Sequence, residues 1–100
     1  MCNLNSIILE GEVAKDVTLT EKENGKKVAT VVISTKRTCF VNETEQVEES
    51  LIEVDAYGNF AEDLATKGEV GRGIRVVGRI KAVENRVFIV AEHLEYKTHC

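Results

Sequence analysis

The chain has no tryptophan and no proline, and rings are scarce: three phenylalanines and two tyrosines in 100 residues. No window approaches the roughly 20 apolar residues of a membrane helix, which excludes a helical span. The N-terminus lacks the basic start and apolar run of a secretory signal, so the cytoplasm is the expected compartment. The sequon Asn42-Glu43-Thr44 then carries little weight. Cysteine is limited to Cys2, Cys39 and Cys100, an odd number at wide spacing with no Cys-x-x-Cys pair. That argues against a disulfide framework. His99 and Cys100 are adjacent at a chain end and do not make a tetrahedral site, so no metal is expected. No Ser/His/Asp or Cys/His arrangement is suggested, and Gly68-Glu69-Val70-Gly71-Arg72-Gly73 lacks the strand–loop–helix setting of a phosphate loop. Glu53 and Asp55 share a strand face without a third group to separate their protonation roles. Neither catalysis nor a cofactor is expected.

What is present is enough for one core. The apolar fraction is 43%, within the globular range, and residues 1–100 make a single domain whose ordered part is expected over 5–96. The net charge of −4 is unevenly spread. Residues 1–40 hold six basic and five acidic side chains, residues 41–70 hold Lys67 against nine acidic ones, and residues 71–100 hold six basic and three acidic. A net-negative protein of this kind can still bind phosphate if its positive charges share one face.

Residues 5–13 alternate as a strand, with Ile7 and Leu9 inward and Gly11 allowing a bend. Asn24-Gly25 is a hairpin-turn dipeptide, since both residues tolerate positive φ. The second strand, over 27–35, is β-branched almost throughout. Residues 42–50 are polar, acidic and without period, which predicts a mobile acidic loop. The third strand puts Ile52, Val54 and Ala56 on one face and Leu51, Glu53, Asp55 and Tyr57 on the other. It ends in an aromatic, turns at Gly58 and enters a short helix. There Asn59 and Glu62 form a capping-box-like start, Gly68 is the stop, and Phe60, Ala61 and Leu64 form the buried side. The last hairpin turns at Glu84-Asn85, so that Val83 faces Arg86, Lys81 faces Phe88, Arg79 faces Val90 and Ile80 pairs with Ile89 toward the core. Arg79, Lys81, Arg86 and Phe88 then share the outer surface. These elements outline a mostly β, five-stranded barrel with one short helix between its third and fourth strands. That architecture often binds single-stranded nucleic acid.

Several stretches together resemble the bacterial single-stranded DNA-binding protein family. They are Asn-Ser-Ile-Ile-Leu-Glu-Gly at 5–11, Asn-Gly-x-x-Val-Ala at 24–29, Tyr-Gly-Asn-Phe-Ala-Glu at 57–62, Leu64-Ala65-Thr66-Lys67-Gly68 and Val77-Gly78-Arg79. The resemblance implies a Greek-key OB-fold barrel that assembles into tetramers or dimers. It also implies sequence-independent binding of single-stranded DNA in replication, recombination or repair, in the bacterial cytoplasm at the nucleoid. RNA is not distinguished from DNA as the ligand, and replication proteins are further partners to consider. By position, Phe40 and Tyr57 match the family's base-stacking rings, and Lys36, Arg37 and Arg75 lie where cations meet the DNA backbone.

The departures are also specific. Leu51 stands where the family has an aromatic, the last hairpin is tight, Glu43, Glu45, Glu48 and Glu49 occupy the loop, and residues 97–100 hold no glycine-rich stretch or acidic tip. The candidate nucleic-acid residues are therefore Lys36, Arg37, Phe40, Tyr57, Arg75, Arg79, Lys81, Arg86 and Phe88. Ile8 is the candidate oligomer contact, because both faces of Ile7-Ile8-Leu9 cannot enter one small core. Two other readings stand beside this one: an OB-fold replication module similar to primosomal replication protein N, and a purely structural oligomer.

Overall fold

Valine, isoleucine and threonine dominate the central segments, and their branched side chains favour pleated strands over helix. The computed structural model describes residues 3–97. It contains β1 (Ile7–Val13), β2 (Thr18–Glu21), β3 (Lys27–Val41), β4 (Thr44–Tyr57), α1 (Asn59–Lys67), β5 (Gly73–Val83) and β6 (Arg86–Tyr96). The strands run in the order β1-β5-β6-β4-β3-β2, and β1 returns to pair with β3 through Glu12↔Ser34 and Val13↔Ile33. β4 and β6 join in parallel at Val54↔Ile89 and Asp55↔Val90. Those two seams close β1, β3, β4, β6 and β5 into a five-stranded OB-fold barrel, with β2 as a short ribbon on β3. The helix falls between β4 and β5 because β2 adds one strand to the expected count.

The core is small and aliphatic. Ala29, Val31, Ile33, Val54, Ala56, Ile74 and Val76 are almost completely buried, and Ala61 and Leu64 enter from the helix. Ile7 and Leu9 pack against this cluster as expected, while Ile8 on the other side of β1 is 60% exposed. Gly78 sits at the β5–β6 bulge, where a Cβ would collide with the Val90 carbonyl.

Three expectations are corrected. Residues 42–50 are not a loop. β3 runs on to Val41 and β4 starts at Thr44, with Asn42 and Glu43 both at positive φ (52° and 64°) in a two-residue turn. Turns of that shape match the strand twist. Opposite charges also face each other across this arm, at Lys36↔Glu49 and Arg37↔Glu48. Such cross-strand pairs support a ribbon that buries neither face. The acidic residues showed no period because both sides of the arm are exposed.

The helix start also differs. Gly58, at φ 62°, caps it; Asn59 is already helical, and there is no side-chain cap. Glu62 reaches sideways to Lys27 Nζ at 2.8 Å instead, tying the helix to β3. The C-terminus is as expected, with the Gly68 N–H donating to Leu64 O at 2.8 Å.

The third correction concerns burial in the last hairpin. Its register is the expected one in every pair, yet Ile80 is 45% exposed and Phe88 only 6%. Ile80 lines an open cleft with Ile7, Ile52 and its partner Ile89, which leaves it partly exposed, and Phe88 is covered by Arg86. Cys2, His99 and Cys100 lie outside the described residues.

Candidate nucleic-acid interface

Directly paired residues of neighbouring strands project to the same side, so the register defines one continuous outer surface. On β4 it carries Glu45, Val47, Glu49, Leu51, Glu53, Asp55 and Tyr57. On β3 it carries the partners Phe40, Thr38, Lys36, Ser34, Val32, Thr30 and Val28. Arg86 and Phe88 of β6 and Arg79 and Lys81 of β5 continue it. Phe40 is 73% exposed and Tyr57 is 37% exposed. They stand twelve residues apart along β4, roughly 40 Å at the rise of a strand, so they serve opposite ends of any bound chain. Lys36, Arg79 and Lys81 are exposed on this same side. Arg37 is exposed too, but its register partner Glu48 puts it on the opposite side of the arm. Arg75 lies on the Arg79 side of β5, further along, between Glu10 of β1 and Glu95 of β6.

At the Tyr57 end, Gly25, Lys26, Lys27, Tyr57, Gly58, Asn59 and Glu62 line a cleft of about 550 Å³. The Lys27 ammonium holds the Glu62 carboxyl below the usual carboxylate range, through its hydrogen bond first and its charge second. Lys26 is exposed at the same rim.

The middle of the surface is built differently from the expectation. Arg86 donates from Nε to Glu53 Oε2 at 2.6 Å, from Nη1 to Asp55 Oδ2 at 3.2 Å and from Nη2 to Asp55 Oδ1 at 2.9 Å. Thr30 Oγ1 donates a further bond to Asp55 Oδ1 at 3.0 Å. These carboxylates, Asp55 before Glu53, raise the Arg86 pKa further, so it is always charged. The guanidinium carbon lies 4.1 Å from the Phe88 ring centroid. Phe88 is therefore beneath a cation and not open to a base. With two carboxylates on one guanidinium, the cluster carries a formal charge of −1 and does not attract phosphate. Glu53 and Asp55 were seen in the sequence as a pair without a partner. The partner comes from β6, some thirty residues on, through a parallel pairing that leaves no local signal. Among the described residues there is no group of three or more potential metal ligands.

No curated protein sequence matches the chain significantly. The fold is that of a single-stranded DNA-binding protein from Thermus aquaticus, with a TM-score of 0.83 and 19% identity over 95% of this chain. This chain spans only 51% of that one. It is similar to the same degree, TM-score 0.83 and 20% identity, to the Plasmodium falciparum protein in its complex with single-stranded DNA, where 98% of each chain is covered. The protein PriB of Ralstonia solanacearum follows at TM-score 0.78 and 17% identity, over 96% of this chain and 100% of that one. At these identities the likeness is one of fold. The sequence adds the family: residues 4–90 match the model of the single-strand binding protein family, and the chain belongs to it.

Proposed function

We propose that this chain binds single-stranded DNA without base preference, in replication, recombination or repair. One observation carries the reading: two exposed rings, Phe40 and Tyr57, stand on the same sheet surface as the exposed cations Lys36, Arg79 and Lys81. Every base offers a ring a π-face, and each phosphate offers a cation a charge, so such a surface holds a strand without reading its sequence. The cytoplasm and its nucleoid are the compartment this role calls for. The protein acts in this reading as an oligomer, a tetramer or at least a dimer, joined through β1, where Ile8 is exposed and residues 7–11 have a strand partner on one side only.

A labelled oligothymidine of about 35 nucleotides, followed by fluorescence anisotropy, tests the reading. A label is needed because the chain has no tryptophan. Binding at low salt is expected to weaken as salt rises. Phe40→Ala and Tyr57→Ala should each cost about 1–3 kcal/mol. Lys81→Ala should reduce the slope of log affinity against log salt by about 0.7, the increment for one phosphate contact on a single strand. No binding at low salt would retire this function.

A second reading, a replication interaction module with weak DNA binding, draws on the carboxylates of the β3–β4 arm and on Leu51 standing where a ring was expected. It expects oligothymidine binding to be barely detectable and unchanged in Phe40→Ala.

A further inference from the structure

The centre of the sheet surface has no exposed ring. Phe88 is covered, Leu51 is aliphatic, and the cluster over Phe88 is net negative. Yet the same three hydrogen bonds that disqualify Arg86 as a phosphate hook fix its guanidinium in one plane. Nε is held by Glu53, and Nη1 and Nη2 by the two oxygens of Asp55, itself buried and held by Thr30. One side of the plane rests on the Phe88 ring at 4.1 Å. The side chain nevertheless remains 42% exposed. A flat, delocalised cation that is fixed in place, backed by a ring and still 42% exposed, has the shape and electronics of a stacking partner for a nucleobase.

The surroundings fit the same ligand. Arg86 and Phe88 line a cleft of about 490 Å³ whose other walls include Leu51, Ile52, Ile80 and Val87. Leu51, on the same outer side as Glu53 and Asp55, is 54% exposed, which gives the edge of a stacked ring apolar contact. A phosphate would meet two carboxylates there and find a guanidinium whose hydrogen bonds to them are already made. We propose that Arg86, pinned by Glu53 and Asp55 on Phe88, is a base-stacking platform at the centre of the binding surface. It takes the face of a nucleobase and not the charge of a phosphate. This role rests on the single-strand binding reading above and assigns to it a residue that acts by its plane.

The test separates base from backbone. Wild type and Arg86→Lys are titrated with an oligothymidine of about 15 nucleotides and with an equally long strand whose residues are all abasic. The two strands carry the same phosphates. Lysine keeps the charge and can still reach the carboxylates, but it has no plane. Arg86→Lys is expected to lose about tenfold in affinity for oligothymidine, to change less than about twofold on the abasic strand, and to keep the wild-type salt slope. Equal losses on both strands, or no loss on either, would overturn the platform. Wild-type protein that binds neither strand would instead retire the function itself.

If Arg86→Lys does not fold, wild-type protein answers the question by NMR. The Arg86 Nε proton, protected by Glu53, should move upfield on saturation with an oligodeoxyadenosine, through the ring current of a base stacked above it. It should stay in place with the abasic strand. A proton that moves equally with both strands, or with neither, overturns the proposal.

Discussion

Glu53 and Asp55 show how far a side chain's role depends on strands distant in sequence. Alternation alone placed both on the outer side of β4, correctly. The reason Asp55 is only 4% exposed there, and Phe88 equally hidden, lies in the Arg86 guanidinium from the far hairpin. A buried carboxylate persists only when paired, so the pairing was implied once the burial was known, but burial was not legible from a polar row. Tyr96 poses a related question at the other end of β6. Its ring is half-buried with Lys67 Nζ 5.5 Å and Arg72 Cζ 5.9 Å from its centroid, and its hydroxyl has no hydrogen-bond partner among the described residues. Burial first, and the nearby Asp63 charge second, push its pKa up to about 12. A raised acid pKa means that the folded state holds the proton more tightly. The stabilisation is therefore complete below the ordinary tyrosine value near 10 and is lost as pH rises through about 12. In Tyr57→Phe, Tyr96 is the sole tyrosine, and its tyrosinate absorbance should appear around pH 12. The urea midpoint should also fall between pH 10 and 12 in wild type and be flatter there in Tyr96→Phe. Ionisation of Tyr96 near pH 10 would overturn the burial account.

The elements were legible where one of their sides meets the core. β1, the barrel half of β4 and the helix each carry an apolar row at the right period and were read from it, and the barrel half of β3 was read from its β-branched composition. The β5–β6 register followed from its two-residue turn. The β3–β4 arm was not legible, because a ribbon wet on both sides has no row to show; its order comes from cross-strand charge pairs and from a turn with two non-glycine residues at positive φ. The helix cap failed for a related reason: Asn59 has the right chemistry, but Gly58 turns the chain one residue earlier. These contrasts set different costs for substitution. Leu64 is the largest fully buried side chain of the helix. Leu64→Ala should therefore lower stability by about 2–5 kcal/mol in urea unfolding, the range for deleting a large aliphatic from a packed core. Phe40→Ala on the arm, by contrast, should stay within about 0.5 kcal/mol of wild type, as surface substitutions do. A loss below about 1 kcal/mol in Leu64→Ala would mean that the helix is not the plug of this barrel.

The molecule as a whole closes its barrel at two short seams, the β1–β3 pairs and the parallel β4–β6 pairs. Neither seam had a sequence signal, although the order of strands and helix sufficed to expect a barrel. Closure still leaves residues 7–11 of β1 paired only with β5, and the side chain of Asn5 continues that seam through two hydrogen bonds to the Ile80 backbone. The free edge of β1 runs beside Ile8. An exposed edge with an exposed isoleucine invites pairing with a second copy about a two-fold axis, and it is the contact assigned above to the proposed oligomer. Ile8→Lys places a charge in that contact while touching nothing in the core. It should yield folded monomers by light scattering, with the wild-type far-ultraviolet spectrum. The monomer also separates assembly from binding. It should hold an oligothymidine short enough for one barrel about as well as wild type does, and lose its advantage on a strand of about 35 nucleotides, which only linked barrels can engage together. An unchanged mass would place the subunit contact elsewhere. Equal affinity of monomer and wild type on the long strand would mean that each barrel binds alone.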